Sequence, residues 1–178
     1  SATAHTAPPL RVAPAGEALF ALIAEPAGRL KPCAGGAVYN LTRALGLQGV
    51  GTQYLNPLAG DMLGRQLAHG LHEAGVALAA PTPVRAPSAL ALAALDAEGK
   101  ASYSFYRDGV ADRQVTAAAL TAACAALPDL QVVATGCLAL VAQDAAIYLP
   151  WLDAQRAAGR MVVVDANLRL SAVDDAEA

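Results

Sequence analysis

From residue 115 to residue 165 the chain alternates between helical and extended hydrophobic patterns, and nothing else in the sequence constrains the fold as much. Residues 115–126 and 143–158 read as helices. The apolar runs at 130–135 and Met161–Asp165 read as strands. A strand that rejoins its sheet through a helix runs parallel to its predecessor, with a right-handed crossover. The second half therefore predicts a parallel sheet with helices packed on it.

The first half is less regular. Residues 10–23 are largely apolar, and Pro14, Gly16 and Glu17 divide them into a buried strand, a turn and a second short strand, ended by Pro26-Ala27-Gly28. Cys33-Ala34-Gly35-Gly36 reads as a tight glycine loop opening into a helix at 37–45, which Gly46 closes. A strand at 49–55 and a loop at 56–61 precede a helix at 62–74, where Met62, Leu63, Leu67, Leu71 and Ala74 keep helical spacing. Pro81, Pro83 and Pro87 mark an irregular link. The strand-like runs Ala89–Leu95 and Ala101–Tyr106 then flank a turn containing Glu98-Gly99, which is a hairpin signal. This hairpin is out of step with the alternation, as a lid or dimerisation arm would be.

With 178 residues, 56% hydrophobic and 15% charged, the chain can bury one sizeable core and is not a disordered segment. Its twelve Lys and Arg are scattered and its net charge is −3, which gives no attraction for nucleic acid or anionic membranes. No apolar run approaches the roughly 20 residues of a membrane span. Residues 1–9 lack the basic and apolar pattern of a secretory signal and read as a flexible arm before a domain at 10–178. Cys33, Cys124 and Cys137 are odd in number and far apart, as expected of reduced thiols in a cytoplasmic protein. His69 and His72 have no companion ligand and read as a helix surface rather than a metal site.

Two places suit ligand chemistry. Gly35 and Gly36, lacking a Cβ, let backbone approach a ligand closely, and the Asn40 amide follows one turn into the helix, able to donate and accept. Asp165, Asn167 and Arg169 follow the apolar run 161–164, at the carboxyl edge of a parallel strand where open α/β sheets bind ligands.

Five blocks, in order, resemble those of the ribokinase-like PfkB carbohydrate kinases, and of the fructokinase-like members in particular. They are Gly16-Glu17-Ala18-Leu19, Gly35-Gly36-Ala37-Val38-Tyr39-Asn40, the 57–64 block around Gly60-Asp61, the 103–113 block from Tyr103 to Arg113, and Asp165-Ala166-Asn167-Leu168-Arg169. The resemblance implies a three-layer α/β/α sandwich with a small β lid, whose strands lie near 18–33 and 88–107. It implies ATP-dependent phosphorylation of a sugar hydroxyl, with ATP and Mg as cofactors and a monovalent cation left open. By the same resemblance Gly35, Gly36, Asn40, Arg107, Asp165 and Asn167 bind the acceptor, Arg169 lies near the phosphates, and two subunits pair through the lid strands.

The chain departs from the family pattern twice. Ala21 stands where the family usually has an aspartate gripping sugar hydroxyls. The family's GAGD block, whose aspartate is the catalytic base, does not occur, so no catalytic residue is expected before Ala178, the C-terminal part is expected to be absent, and the chain alone is expected to be inactive. The alternative reading is a degenerate, non-catalytic sugar-binding or dimerisation module of the same fold.

Overall fold

The computed structural model describes residues 8–98 and 100–167; most of the expected arm at 1–9, and Arg169, lie outside the described residues. In chain order the strands are β1 (Val12–Pro14), β2 (Leu19–Ala24), β3 (Leu30–Gly35), β4 (Gln53–Tyr54), β5 (Ala77–Leu78), β6 (Ala89–Leu95), β7 (Ala101–Tyr106), β8 (Val132–Gly136) and β9 (Met161–Asp165). The longer helices are α1 (Ala37–Leu47), α2 (Met62–Glu73), α3 (Ala117–Ala125) and α4 (Ala142–Ala157).

A parallel sheet forms the middle layer. β8 pairs with β1 on one side and β9 on the other, with Ala134 opposite Pro14 and Gly136 opposite Asp165. β4 pairs with β5, and a bridge between Val12 and Thr52 together with the Leu55 N–H to the Pro14 carbonyl (3.1 Å) attaches that pair to β1. The order is thus β5-β4-β1-β8-β9. The chain builds outward from β1 on one side and then returns to build on the other, so the order reverses between β1 and β8. In open α/β sheets the crevice beyond the strand ends at such a reversal is where ligands bind.

Two apolar clusters pack against the sheet, and adjacent residues divide between them. Tyr54 joins α1 and α2 through Val38, Tyr39, Leu67 and Leu71, while Leu55 joins α3 and α4 through Leu120, Cys124, Trp151 and Leu152. Alternate residues of a strand point to opposite faces, so these are the outer layers of an α/β/α sandwich. Trp151 is fully buried, with Tyr148 edge-on at 6.3 Å.

The remaining strands form a second sheet, ordered β3-β2-β6-β7, in which β2 and β6 are parallel and the outer pairings antiparallel. Here the structure differs from the sequence expectation. The segment read as a loop from Cys33 is strand up to Gly35, and Pro32 is tolerated because β3 is an edge that need not donate along its outer side. The strand expected at 49–55 shortens to β4, because the Gly51 carbonyl turns to accept from both Arg11 and Val12 N–H. Among the described residues, no helix is long and apolar enough to cross a membrane.

Candidate functional site

The chain leaves the parallel sheet for the second sheet at Gly16-Glu17-Ala18, directly beside the order reversal. Buried groups fix this crossing. The Gly16 N–H donates to Asn56 Oδ1 (2.8 Å) and its carbonyl accepts from the Tyr54 hydroxyl (2.6 Å). The Asn56 amide donates to the Asp112 carbonyl (2.9 Å) and to the Tyr148 hydroxyl (2.7 Å). The Ala18 N–H donates to Asp112 Oδ2 at 3.1 Å.

The return runs through Gly35-Gly36 into α1. Gly36 is the residue before the first helical turn, at φ 105°, and a Cβ there would lie 3.0 Å from both Glu17 Cγ and the Glu17 carbonyl oxygen. Glycine is required on both counts. Having no side chain, Gly36 cannot cap the helix, and Glu17 does so from across the turn. Its Oε1 accepts from the Ala37 N–H (2.8 Å) and its carbonyl from the Tyr39 N–H (3.2 Å).

Glu17 and Asp112 are each 2% exposed, and each keeps one buried oxygen without a partner. Burial pushes the Glu17 carboxyl up to about 7, against the Ala37 N–H and the Arg107 charge, which pull it down. Burial likewise raises Asp112 to about 6, with Arg107 the largest opposing influence. Arg107 itself, the first residue after β7, donates to Asp144 Oδ2 (3.0 Å), and Arg113 donates to Asp144 Oδ1 (2.9 Å) and to the Arg107 carbonyl (3.0 Å). Asp144 thus pairs with both guanidiniums at the root of the second sheet, and the Arg107 charge acts on the buried Glu17 and Asp112 carboxyls.

Above this root lies a cavity of about 310 Å³, bounded by the inner face of the second sheet, the start of α1, and Cys137-Leu138 after β8. Cys137 holds φ 52°, a conformation uncommon outside glycine and one that recurs at ligand sites. Of the residues singled out from sequence, Gly35, Gly36 and Asn40 line the cavity together. The Asn40 amide nitrogen lies 3.9 Å from where a Cβ on Gly35 would stand. Arg107, Asp165 and Asn167 are not in the wall. Arg107 is engaged by Asp144, and Asp165 stands behind Gly136, so close that a Cβ on that glycine would meet its backbone. The Asn167 N–H turns back to Asp165 Oδ1 at 3.1 Å.

The wall also contains groups that sequence reasoning had not chosen for the site: Glu17, Cys137, Leu138 and the inner row of the second sheet. For Glu17 a signal was present, an acidic residue inside the apolar run 10–23. Among the described residues no three His, Cys, Asp or Glu side chains are grouped as a metal site requires.

A parallel sheet with an order reversal, a glycine loop at a helix start and a second sheet over the crevice together define a ribokinase-like α/β/α protein. No family model matches the chain. A fructokinase from Rhizobium leguminosarum bv. trifolii is 31% identical over 148 residues, covering 81% of this chain and 43% of that protein. The crystal structure of a fructokinase from Xylella fastidiosa matches with a TM-score of 0.82 and 29% identity, covering 94% of this chain and 56% of that one. A fructokinase from Xylella fastidiosa with bound ATP matches with a TM-score of 0.78 and 27% identity, over 95% and 56%. The chain belongs to the ribokinase-like PfkB family of sugar kinases, with fructokinases among the proteins it resembles. It spans about half the length of these relatives.

Proposed function

We propose that the whole protein is an ATP-dependent sugar kinase in which this chain supplies the acceptor pocket and a lid over it. The observation that carries this reading is the convergence of Gly35, Gly36 and Asn40 on one cavity beside the order reversal, beneath the second sheet. Backbone freed of side chains and a two-way amide are what a sugar hydroxyl needs for recognition. ATP is the phosphoryl donor, a reading supported by the ATP-bound fructokinase that this chain resembles; magnesium would accompany the nucleotide and supply charge neutralisation. Asp165 and Asn167, outside the cavity wall in this structure, would join the acceptor from the strand end only in the whole protein, and Arg169 would offset phosphate charge. Arg107 joins the acceptor only by leaving Asp144 as the lid closes.

The same reading makes the second sheet a dimer interface, formed by residues 18–23 and 89–106. Leu95 and Tyr106 are exposed there, and apolar strands left open invite pairing. A cytoplasmic setting follows from the need for ATP.

Asn40→Ala in the whole protein should weaken acceptor binding about tenfold, the worth of roughly one good hydrogen bond, while leaving ATP affinity unchanged. Calorimetry with acceptor and nucleotide in separate titrations reads this directly; equal acceptor affinity in variant and wild type would remove Asn40 from the site. A coupled ADP-release assay on the 178-residue chain beside the whole protein should give turnover only in the latter.

A further inference from the structure

Three polar atoms at the root of the second sheet are buried and without a partner among the described residues: Glu17 Oε2, Asp112 Oδ1 and Arg107 Nε. They are complementary, one donor and two acceptors. The groups that carry them already act on one another, since the Arg107 charge pulls both carboxyls down against burial. A buried donor or acceptor left unmet keeps the full penalty of having lost water. All three are closed off by this chain itself, so the contacts that complete them come from inside the cluster.

A swing of the Arg107 side chain can supply them. Its carbonyl is anchored by Arg113 Nη1 (3.0 Å), and its own Nη1 donates to Asp144 Oδ2 (3.0 Å). Asp144 does not depend on that contact alone. Arg113 Nε donates to its other oxygen at 2.9 Å and would keep it paired if Arg107 left. Glu17 and Asp112 hold their first oxygens on the Ala37 and Ala18 N–H groups, which leaves the second pair to a guanidinium fork. The two stations differ in where they put the charge. Asp144 lies outside the cavity wall and Glu17 is part of it.

We infer that Glu17, backed by Asp112, is a second station for the Arg107 guanidinium and so a positioning residue for the acceptor: on acceptor binding Arg107 passes from Asp144 to Glu17, and the ionised Glu17 holds its charge at the pocket. The inference rests on the acceptor-pocket reading above and adds a residue to it. The form paired with Asp144 is the resting one, and acceptor affinity is reduced by the fraction of molecules held there.

Only ionised Glu17 can hold the guanidinium. Burial above all pushes its carboxyl up to about 7, so acceptor affinity rises as pH climbs through that value. The charged and titratable groups facing Glu17 are Arg107 after β7, Asp112 in the turn Ala111–Arg113, Tyr54 on β4 and Tyr148 on α4. Asp144 and Arg113 stand behind Asp112, and Cys33, Cys137 and Tyr103 share the cavity wall with Glu17. Burial pushes Tyr54 and Tyr148 up, away from this range. Asp112, raised to about 6, titrates just below Glu17 and acts in the same direction.

The test uses the whole protein. Fructose, ribose and glucose are screened for sugar-dependent ADP release, and the sugar that gives turnover is titrated calorimetrically with a non-hydrolysable ATP analogue bound. From about pH 5.5 to about pH 7.5 its affinity should rise about fivefold or more in wild type and stay level in Glu17→Gln. At the upper pH Glu17→Gln should weaken binding about tenfold, whereas Asp144→Asn, which releases Arg107 from the resting station, should tighten it about threefold. In an Arg107→Ala background Glu17→Gln should change affinity less than about twofold, which loss of the α1 cap alone would not produce. The wild-type profile needs no variant and serves if one fails to fold. A flat wild-type profile would overturn the inference, as would equal weakening by Glu17→Gln with and without Arg107, or weakening by a folded Asp144→Asn. Sugar-dependent ADP release in those cases leaves the kinase reading standing, and neither binding nor turnover with any of the three sugars removes both.

Discussion

The chain crosses into the second sheet twice, at β2 and at β6. Each crossing is held by a carboxylate that also serves a helix start, yet the two sites are electrostatic opposites. At the crossing into β6, Asp61 caps α2 by accepting from the Gly64 N–H (2.7 Å) and grips Ser88 through its N–H (2.8 Å) and hydroxyl (2.7 Å). At the crossing into β2, Glu17 caps α1 and Asp112 holds the Ala18 N–H. Burial pushes Asp61 up, but its three hydrogen bonds and Arg65 outweigh that and hold it below the ordinary carboxylate value. Burial wins at Glu17 and Asp112, each with an oxygen left without a partner. A carboxylate at the surface with its lone pairs used is a stable clamp. One that is deeply buried and partly satisfied is strained, and such strain persists only where the surrounding structure enforces it.

The buried crossing depends on its guanidiniums, so the largest effect should come from removing their shared partner. Asp144→Ala leaves Arg107 and Arg113 facing each other without the carboxylate that separates them. Breaking a buried ion pair from one side costs about 3–5 kcal/mol. Chemical denaturation of variant and wild type measures the loss; a change under about 1 kcal/mol would mean that solvent reaches this cluster after all.

Next in size is the pH signature. The folded-state value of Glu17 is raised, so its neutral form is favoured by folding: the stabilisation is complete below its ordinary value of 4.5 and disappears as pH rises through about 7. Glu17→Gln does not titrate. Wild type should therefore lose stability relative to the variant between about pH 5 and pH 8. At about 1.36 kcal/mol per pKa unit, and discounting for the electrostatic coupling to Asp112, the loss is on the order of 2 kcal/mol. Parallel stability curves for the two proteins across that range would show that Glu17 stays ionised.

The same two crossings mark the boundary of what could be read from sequence. The alternation after residue 115 led to β8, α4 and β9 because each element announces itself by local period. Gly35, Gly36 and Asn40 were legible because the loop and the helix it opens are contiguous. The buried cluster was not: Ala18 and Asp112 are 94 residues apart, and Arg107 and Asp144 are 37 apart, so their meeting depends on tertiary packing. Arg107 illustrates the consequence. The family resemblance assigned it to the acceptor, and nothing nearby in sequence announces Asp144 as its present partner. The inner row of the second sheet was equally hidden, because Cys33, Ala21, Ala91 and Phe105 become a row only through strand register.

The smallest effect is expected at the surface crossing, where two substitutions separate geometry from charge. Asp61→Ala removes the cap of α2 and both Ser88 contacts. Losing an N-cap costs about 1 kcal/mol; Ser88 is itself buried, but water entering at the exposed position of Asp61 can take up its N–H and hydroxyl, so those contacts add less than the cap. Asp61→Asn keeps an acceptor for the Gly64 N–H and should lose less than about half of that. Its pH behaviour is the reverse of that at Glu17. A lowered carboxylate contributes stability above its ordinary value of 3.8 and loses it as pH falls through the folded value, so wild type should approach Asp61→Ala in stability only below about pH 4. Thermal denaturation of the three proteins from about pH 3 to pH 7 makes the comparison. If the gap between wild type and Asp61→Ala instead widened on acidification, both crossings would share one electrostatic character, and the contrast between clamp and strained cluster would fail.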